Sequence, residues 1–185
     1  WWRLERAPLR WRLRAPSRVL AVAVSPDGCT VAAGLSDTGI LLVDVASGQR
    51  TRLELHIDKV PALAWSPDGS VLASGSLDGT LLLWDAARGR AASLGEHDAA
   101  LRSLAFSPDG GVLASADARG EIALWDPVRS EHLTAWIAHQ GRVTDLSFSP
   151  DGARLVSAGK DGLLRMWSVP DGRLLGQVGE HESSE

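Results

Sequence analysis

The sequence predicts an all-β fold of four four-stranded antiparallel sheets, and three observations carry that prediction. The turn Ser-Pro-Asp-Gly starts at Ser25, Ser66, Ser107 and Ser149, so the 185-residue chain repeats at intervals of 41, 41 and 42 residues. Each turn follows a short apolar alternating run (Val22–Val24, Leu63–Trp65, Leu104–Phe106, Leu146–Phe148) and precedes a second one, the pattern of a hairpin repeated at fixed spacing. The turn chemistry agrees. Proline pre-sets φ near −65°, aspartate bonds back to the local backbone, and glycine accepts the positive φ that closes the hairpin.

The second copy shows the elements in order. Val60 to Trp65 alternates into the Ser66–Gly69 turn, Val71 to Ser74 forms the next strand, and Asp78-Gly79 supplies another tight turn. Leu81 to Asp85 is the third strand and Arg90 to Leu94 a weaker fourth, after which Gly95, Glu96 and His97 lead into the next copy. Four short antiparallel strands in about forty residues make one blade of a β-propeller.

Bulk composition sets limits. A hydrophobic content of 44% allows a substantial core, and a net charge of −4 gives no global push toward nucleic acid or an anionic membrane. Cys29 is the single cysteine and has no disulfide partner, which suits a reducing cytoplasmic setting. No apolar run approaches the ~18 residues of a membrane-spanning helix. No glycine-rich phosphate loop or calcium loop is present, so no cofactor is expected.

His97 ahead of the hairpin and Trp84-Asp85 closing the third strand resemble the WD40 repeat of β-propellers. The resemblance covers nearly the whole chain, because His56, His97, His139 and His181, and likewise Val43, Trp84, Trp125 and Trp167, follow the same period. It implies a buried tetrad in each blade. His56, Ser74, Asp78 and Trp84 stand in the expected order, and His139, Ser157, Asp161 and Trp167 repeat it at identical intervals. In the expected relay the indole N–H donates to serine, serine to one imidazole nitrogen, and the other imidazole nitrogen to aspartate.

Two copies depart from that pattern. The first holds Ala15, Ala33, Asp37 and Val43 at the four positions, so that blade must rely on apolar packing. The third keeps His97, Ser115 and Trp125 but has Arg119 where aspartate belongs. Unless Asp117 swings in, His97 lacks its anionic acceptor and this is the weak point of the array.

A catalytic reading of Ser74 as nucleophile, His56 as base and Asp78 as orienting acid is disfavoured, because the same trio recurs in the fourth copy with a tryptophan capping the serine. The histidines come one per blade instead of converging, so no metal site is expected.

Counting one period back from the first turn places Trp2 at a tetrad-type tryptophan and Arg10 to Arg14 in an outer strand, which makes residues 1–16 the tail of a preceding repeat. The alternative is a targeting peptide. Repeats then occupy 17–56, 57–97, 98–139 and 140–181, with a polar tail at 182–185. Rings of this kind hold more than four blades, so the expectation is an incomplete propeller or arc, cut from a longer protein or covered by self-association.

The resemblance also implies a function, a non-enzymatic scaffold that binds a protein or peptide through the face of blade-connecting loops. Carried over position by position, that face holds Arg18, Lys59, Arg102, Arg142 and Lys160, with Leu77 and the smaller residues between them. Five basic groups on an acidic chain suggest an acidic or phosphorylated partner. The alternative is a sensor array within a larger bacterial signalling protein, a kinase or nucleotide-driven switch; a propeller hydrolase is disfavoured.

Overall fold

A computed structural model describes residues 14–179. The tetrad position of Trp2, residues 10–13 of the strand expected over Arg10 to Arg14, and His181 lie outside the described residues, and Arg14 itself is in no strand.

Sixteen strands run in chain order and group into four antiparallel sheets of four consecutive strands each. The first sheet comprises β1 (Val19–Val24), β2 (Thr30–Leu35), β3 (Ile40–Asp44) and β4 (Arg50–Leu53). The second comprises β5 (Ala62–Trp65), β6 (Val71–Gly75), β7 (Thr80–Asp85) and β8 (Ala91–Glu96). The third holds β9 (Leu101–Phe106), β10 (Leu113–Asp117), β11 (Glu121–Asp126) and β12 (Glu131–Ile137). The fourth holds β13 (Val143–Phe148), β14 (Arg154–Gly159), β15 (Leu164–Ser168) and β16 (Leu174–Val178). The all-β architecture of propeller blades read from the sequence is therefore present, and the series of sheets does not close.

Strand ends differ from the sequence reading by one or two residues, with one instructive case. Val60 does not belong to β5, because Pro61 after it has no donor for a ladder; its N–H crosses instead to Leu35 O of the first sheet at 3.1 Å. The same stitch recurs one period later, where Leu101, with Arg102 in place of the proline, keeps its place in β9 while its N–H bonds Ser76 O at 2.9 Å. First strands of successive sheets lie side by side at these joints.

The four Ser-Pro-Asp-Gly turns share one construction. Ser25 Oγ donates to Asp27 Oδ1 at 2.6 Å and accepts from Thr30 N at 2.9 Å, while Gly28 N bonds Ser25 O at 2.8 Å. The serine hydroxyl, first among the bonds that Asp27 accepts, holds its carboxyl below the usual range, and the same holds for Asp68, Asp109 and Asp151. Successive turns also touch. A Cβ added at Gly110 would lie 3.4 Å from Pro67 Cδ, so the proline of one turn packs beside the glycine of the next.

The core lies between sheets. Ile40, Val60, Leu72 and Trp84 join the first two sheets; Leu81, Leu101, Leu113 and Trp125 join the second and third; Ile122, Val143, Leu155 and Trp167 join the third and fourth. The outer sheets leave apolar side chains exposed, among them Val22 and Val24 on β1 and Leu164 and Val178 on the last sheet.

Candidate functional site

The blade joints position every tetrad. Each histidine follows the outer strand of one sheet and inserts its ring into the next. His97, for example, leaves β8 with its N–H on Gly79 O at 2.9 Å, while its Nε2 lies 2.7 Å from Ser115 Oγ in β10.

In the second sheet Trp84 Nε1 donates to Ser74 Oγ at 2.7 Å, and Ser74 Oγ meets His56 Nε2 at 2.8 Å. The far side departs from the expected relay. His56 Nδ1 bonds Thr80 Oγ1 at 2.7 Å, and Thr80 Oγ1 donates to Asp78 Oδ1 at 2.5 Å, whereas Nδ1 to Asp78 Oδ2 is 3.8 Å. Threonine is thus interposed as a fifth member. Asp78 Oδ2 is free to accept Ile57 N at 2.8 Å, which fixes the loop after the histidine. Burial pushes the His56 pKa down against the opposing pull of Asp78, so the ring is neutral and passes one proton along the chain. Ser74 is fully buried with its hydroxyl committed to indole and imidazole, a setting opposite to that of an exposed nucleophile.

The fourth sheet makes the direct bond. His139 Nδ1 lies 2.8 Å from Asp161 Oδ1, Nε2 lies 2.7 Å from Ser157 Oγ, and Trp167 Nε1 donates to the same serine at 2.9 Å. Arg165 Nη1 spends its two protons on Ala138 O at 2.9 Å and Asp161 Oδ2 at 2.7 Å, leaving Nδ1–H to donate to Asp161. Burial raises the Asp161 pKa, but hydrogen bonds from Arg165 and His139 and from the Leu163 and Gln140 amides outweigh it and hold the carboxyl far below its usual range. With its folded pKa below the ordinary 3.8, Asp161 contributes stability that is present above that pH and lost as pH falls through the folded value. Asp161→Asn is therefore expected to flatten the acid limb of stability against pH below 3.8, measured by urea unfolding at stepped pH; an unchanged slope would count against it.

The third sheet keeps Trp125 Nε1 on Ser115 Oγ at 2.7 Å, but the other end of His97 is unpaired. Asp117 does not take the place of the missing aspartate. Its Oδ1 accepts the Arg119 and Glu121 amides, both at 2.9 Å, and its Oδ2 stops 3.8 Å from His97 Nδ1. Glu121 Oε1 approaches the same nitrogen to 3.2 Å without hydrogen-bond geometry. In the first sheet Asp37 turns to Arg52 Nη2 at 3.1 Å, and Ala33, Val43 and Ala15 pack together in place of a relay.

The sequence reading missed Thr80, Arg165 and Glu121. Thr80 and Glu121 both stand two residues beyond the tetrad aspartate position, and that shared offset was the available signal.

The residues carried over as partner contacts gather at one end of the blades. Within each sheet a single backbone bond joins the two loops involved: Ser36 N to Arg18 O, Leu77 N to Lys59 O, Ala118 N to Ala100 O and Lys160 N to Arg142 O, each 2.9 Å. The Ser-Pro-Asp-Gly turns lie at the opposite end, tied to the third-to-fourth-strand turns by Ala86 N to Ser70 O and Val169 N to Ala153 O, each 3.0 Å. None of Arg18, Lys59, Arg102, Arg142 and Lys160 has an ion-pair partner among the described residues. Arg102 is half-buried; burial and then the neighbouring Arg142 guanidinium pull its pKa down, and its Nε is buried without a hydrogen-bond partner.

No helix among the described residues is long and apolar enough to cross a membrane. The model of the WD domain, G-beta repeat, matches residues 8–44, 48–85, 90–126 and 130–168. The last three matches each take in the outer strand of one sheet and the first three strands of the next, so the sequence repeat and the sheet are offset by one strand. A comparison with curated proteins finds no match.

Proposed function

Because the chain belongs to the WD domain, G-beta repeat family, whose members serve in general as protein-interaction scaffolds and are typically non-enzymatic, we propose that it binds an acidic or phosphorylated peptide on its blade-connecting face. The observation that carries this reading is the pair Arg102 and Arg142. Burial first and the Arg142 guanidinium second depress the Arg102 pKa, no carboxylate among the described residues pairs with either arginine, and Arg102 Nε is buried without an acceptor. A carboxylate or phosphate there supplies the missing acceptor and relieves the repulsion. Arg18, Lys59 and Lys160 extend positive charge along the same end of the blades.

Fluorescence anisotropy with labelled acidic and phosphorylated peptide pools, at stepped salt, tests the proposal. Binding is expected to weaken with salt, and Arg102→Ala with Arg142→Ala to reduce affinity by about tenfold or more, as for loss of hydrogen bonds to a charged group. Salt-insensitive binding that survives both substitutions would overturn it.

A further inference from the structure

We propose that His97, Asp117 and Glu121 form a site for a divalent transition-metal ion, with zinc the fitting probe, and that the ion takes the place of the aspartate replaced by Arg119. Three observations converge. The first is the orphaned nitrogen: the His97 side chain is fully buried, and Nδ1 has no hydrogen-bond partner, unlike Nδ1 of His56 on Thr80 and of His139 on Asp161. A buried imidazole nitrogen without a partner is costly, and coordination is one way to satisfy it.

The second is donor geometry. One atom from each of the three side chains lies within 4.8 Å of the others, with Nδ1 at 3.2 Å from Glu121 Oε1 and 3.8 Å from Asp117 Oδ2. A tetrahedral ion with bonds of about 2.0–2.1 Å spaces its donors about 3.3–3.4 Å apart, so the two separations from Nδ1 are already near that spacing, and rotation of the part-exposed Glu121 carboxyl closes the third. The donors sit on three firm elements: His97 just beyond β8, Asp117 at the end of β10 and Glu121 at the start of β11. Asp117 is further fixed by the two amides on Oδ1, which leave Oδ2 turned toward the histidine. Glu121, with 36% of its side chain exposed, opens the site to solvent and to a fourth, water ligand.

The third is charge and tautomer. Neither Asp117 nor Glu121 has an ion-pair partner other than His97 among the described residues, whereas Arg165 neutralises Asp161 in the fourth sheet; the position equivalent to Arg165 in the third sheet is Ala123. Two carboxylates converging on a buried ring favour a cation. A metal on Nδ1 requires the proton on Nε2, donated to Ser115 Oγ at 2.7 Å, and the Ser115 hydroxyl then needs another acceptor. Ala123 O stands 3.5 Å away for that purpose. One imidazole with two carboxylates suits zinc, manganese or iron better than magnesium or calcium, which favour all-oxygen sets.

Isothermal titration calorimetry of the full chain with zinc chloride, magnesium chloride serving as control, tests the site, and thermal unfolding with and without zinc gives a second readout. Expected are one zinc per chain, a higher unfolding temperature with zinc than with magnesium, and at least about a tenfold loss of zinc affinity in Glu121→Gln. Glu131→Gln, on the exposed outer strand, should unfold and bind zinc as the parent does, and the far-ultraviolet circular dichroism of Glu121→Gln should match the parent's. Absence of zinc binding, or equal affinity in Glu121→Gln and the parent, would overturn the proposal.

Discussion

Replacing Trp125 with alanine is expected to remove about 3–5 kcal/mol of stability, the range for truncating a buried large aromatic. The side chain is 5% exposed and sits in the cluster joining the second and third sheets, beside Leu81, Leu101 and Leu113. Its six-membered ring lies against the bare backbone of Gly95 on β8, where an added Cβ would fall 2.3 Å from a ring carbon, and its edge meets His132 at a centroid distance of 4.9 Å. Truncation leaves a cavity among these side chains, and its cost adds to the lost transfer energy. Trp125→Phe separates packing from hydrogen bonding. It keeps most of the apolar contact but leaves Ser115 without the indole donor, for an expected loss of about 1–3 kcal/mol. Urea unfolding followed by far-ultraviolet circular dichroism measures both. If alanine costs under about 1 kcal/mol, or no more than phenylalanine, the tryptophan is not the packing element described.

That joint also shows what could be read from sequence and what could not. The period of the Ser-Pro-Asp-Gly turn fixes backbone register, and with it which residues face one another across a joint: His97 with Ser115 and Trp125, His139 with Ser157 and Trp167. Register says less about the reach of side chains. His56 and His139 stand at equivalent positions, yet one meets a threonine hydroxyl and the other a carboxylate, because Thr80 puts a hydroxyl in the path where the fourth sheet has Leu163.

The third sheet makes the point more sharply. That Arg119 interrupts the tetrad is visible in the sequence, and Asp117 is an evident candidate to compensate. What the linear order hides is that the amides of Arg119 and Glu121 both claim Asp117 Oδ1, which holds the carboxylate short of His97 while Glu121 comes in from the start of the next strand. Histidines spaced one per blade do not converge on one another, and the linear order gives no sign that two acids fold onto one of them. At the end of the blades opposite the Ser-Pro-Asp-Gly turns the basic positions follow from register in the same way, and the burial of Arg102 does not, since it depends on packing in three dimensions.

Gly120→Ala is expected to be as damaging as the loss of Trp125, on the order of 4 kcal/mol or more, the range reached only by a few mechanisms of severe disruption. Two constraints combine there. Gly120 has φ of 98°, in a region that side chains disfavour, and a Cβ would lie 2.0 Å from His139 O and 2.7 Å from Gly141 O. Both obstacles are backbone, so neither can rotate away. The carbonyl of Gly120 also accepts Ala138 N at 2.7 Å and His139 N at 3.2 Å, which seats the histidine that enters the fourth sheet. Pushing this turn aside therefore disturbs the relay of His139, Ser157 and Asp161 as well as its own hairpin. Gly28→Ala supplies the comparison. Its φ is 72°, but nothing lies within 4 Å of the added Cβ, so only conformational strain of about 1–2 kcal/mol is expected. Equal losses at the two glycines would show that φ alone governs both and that the close approach of the next connection carries no energetic weight; a gap of several kcal/mol would assign the difference to the contact between turn and histidine.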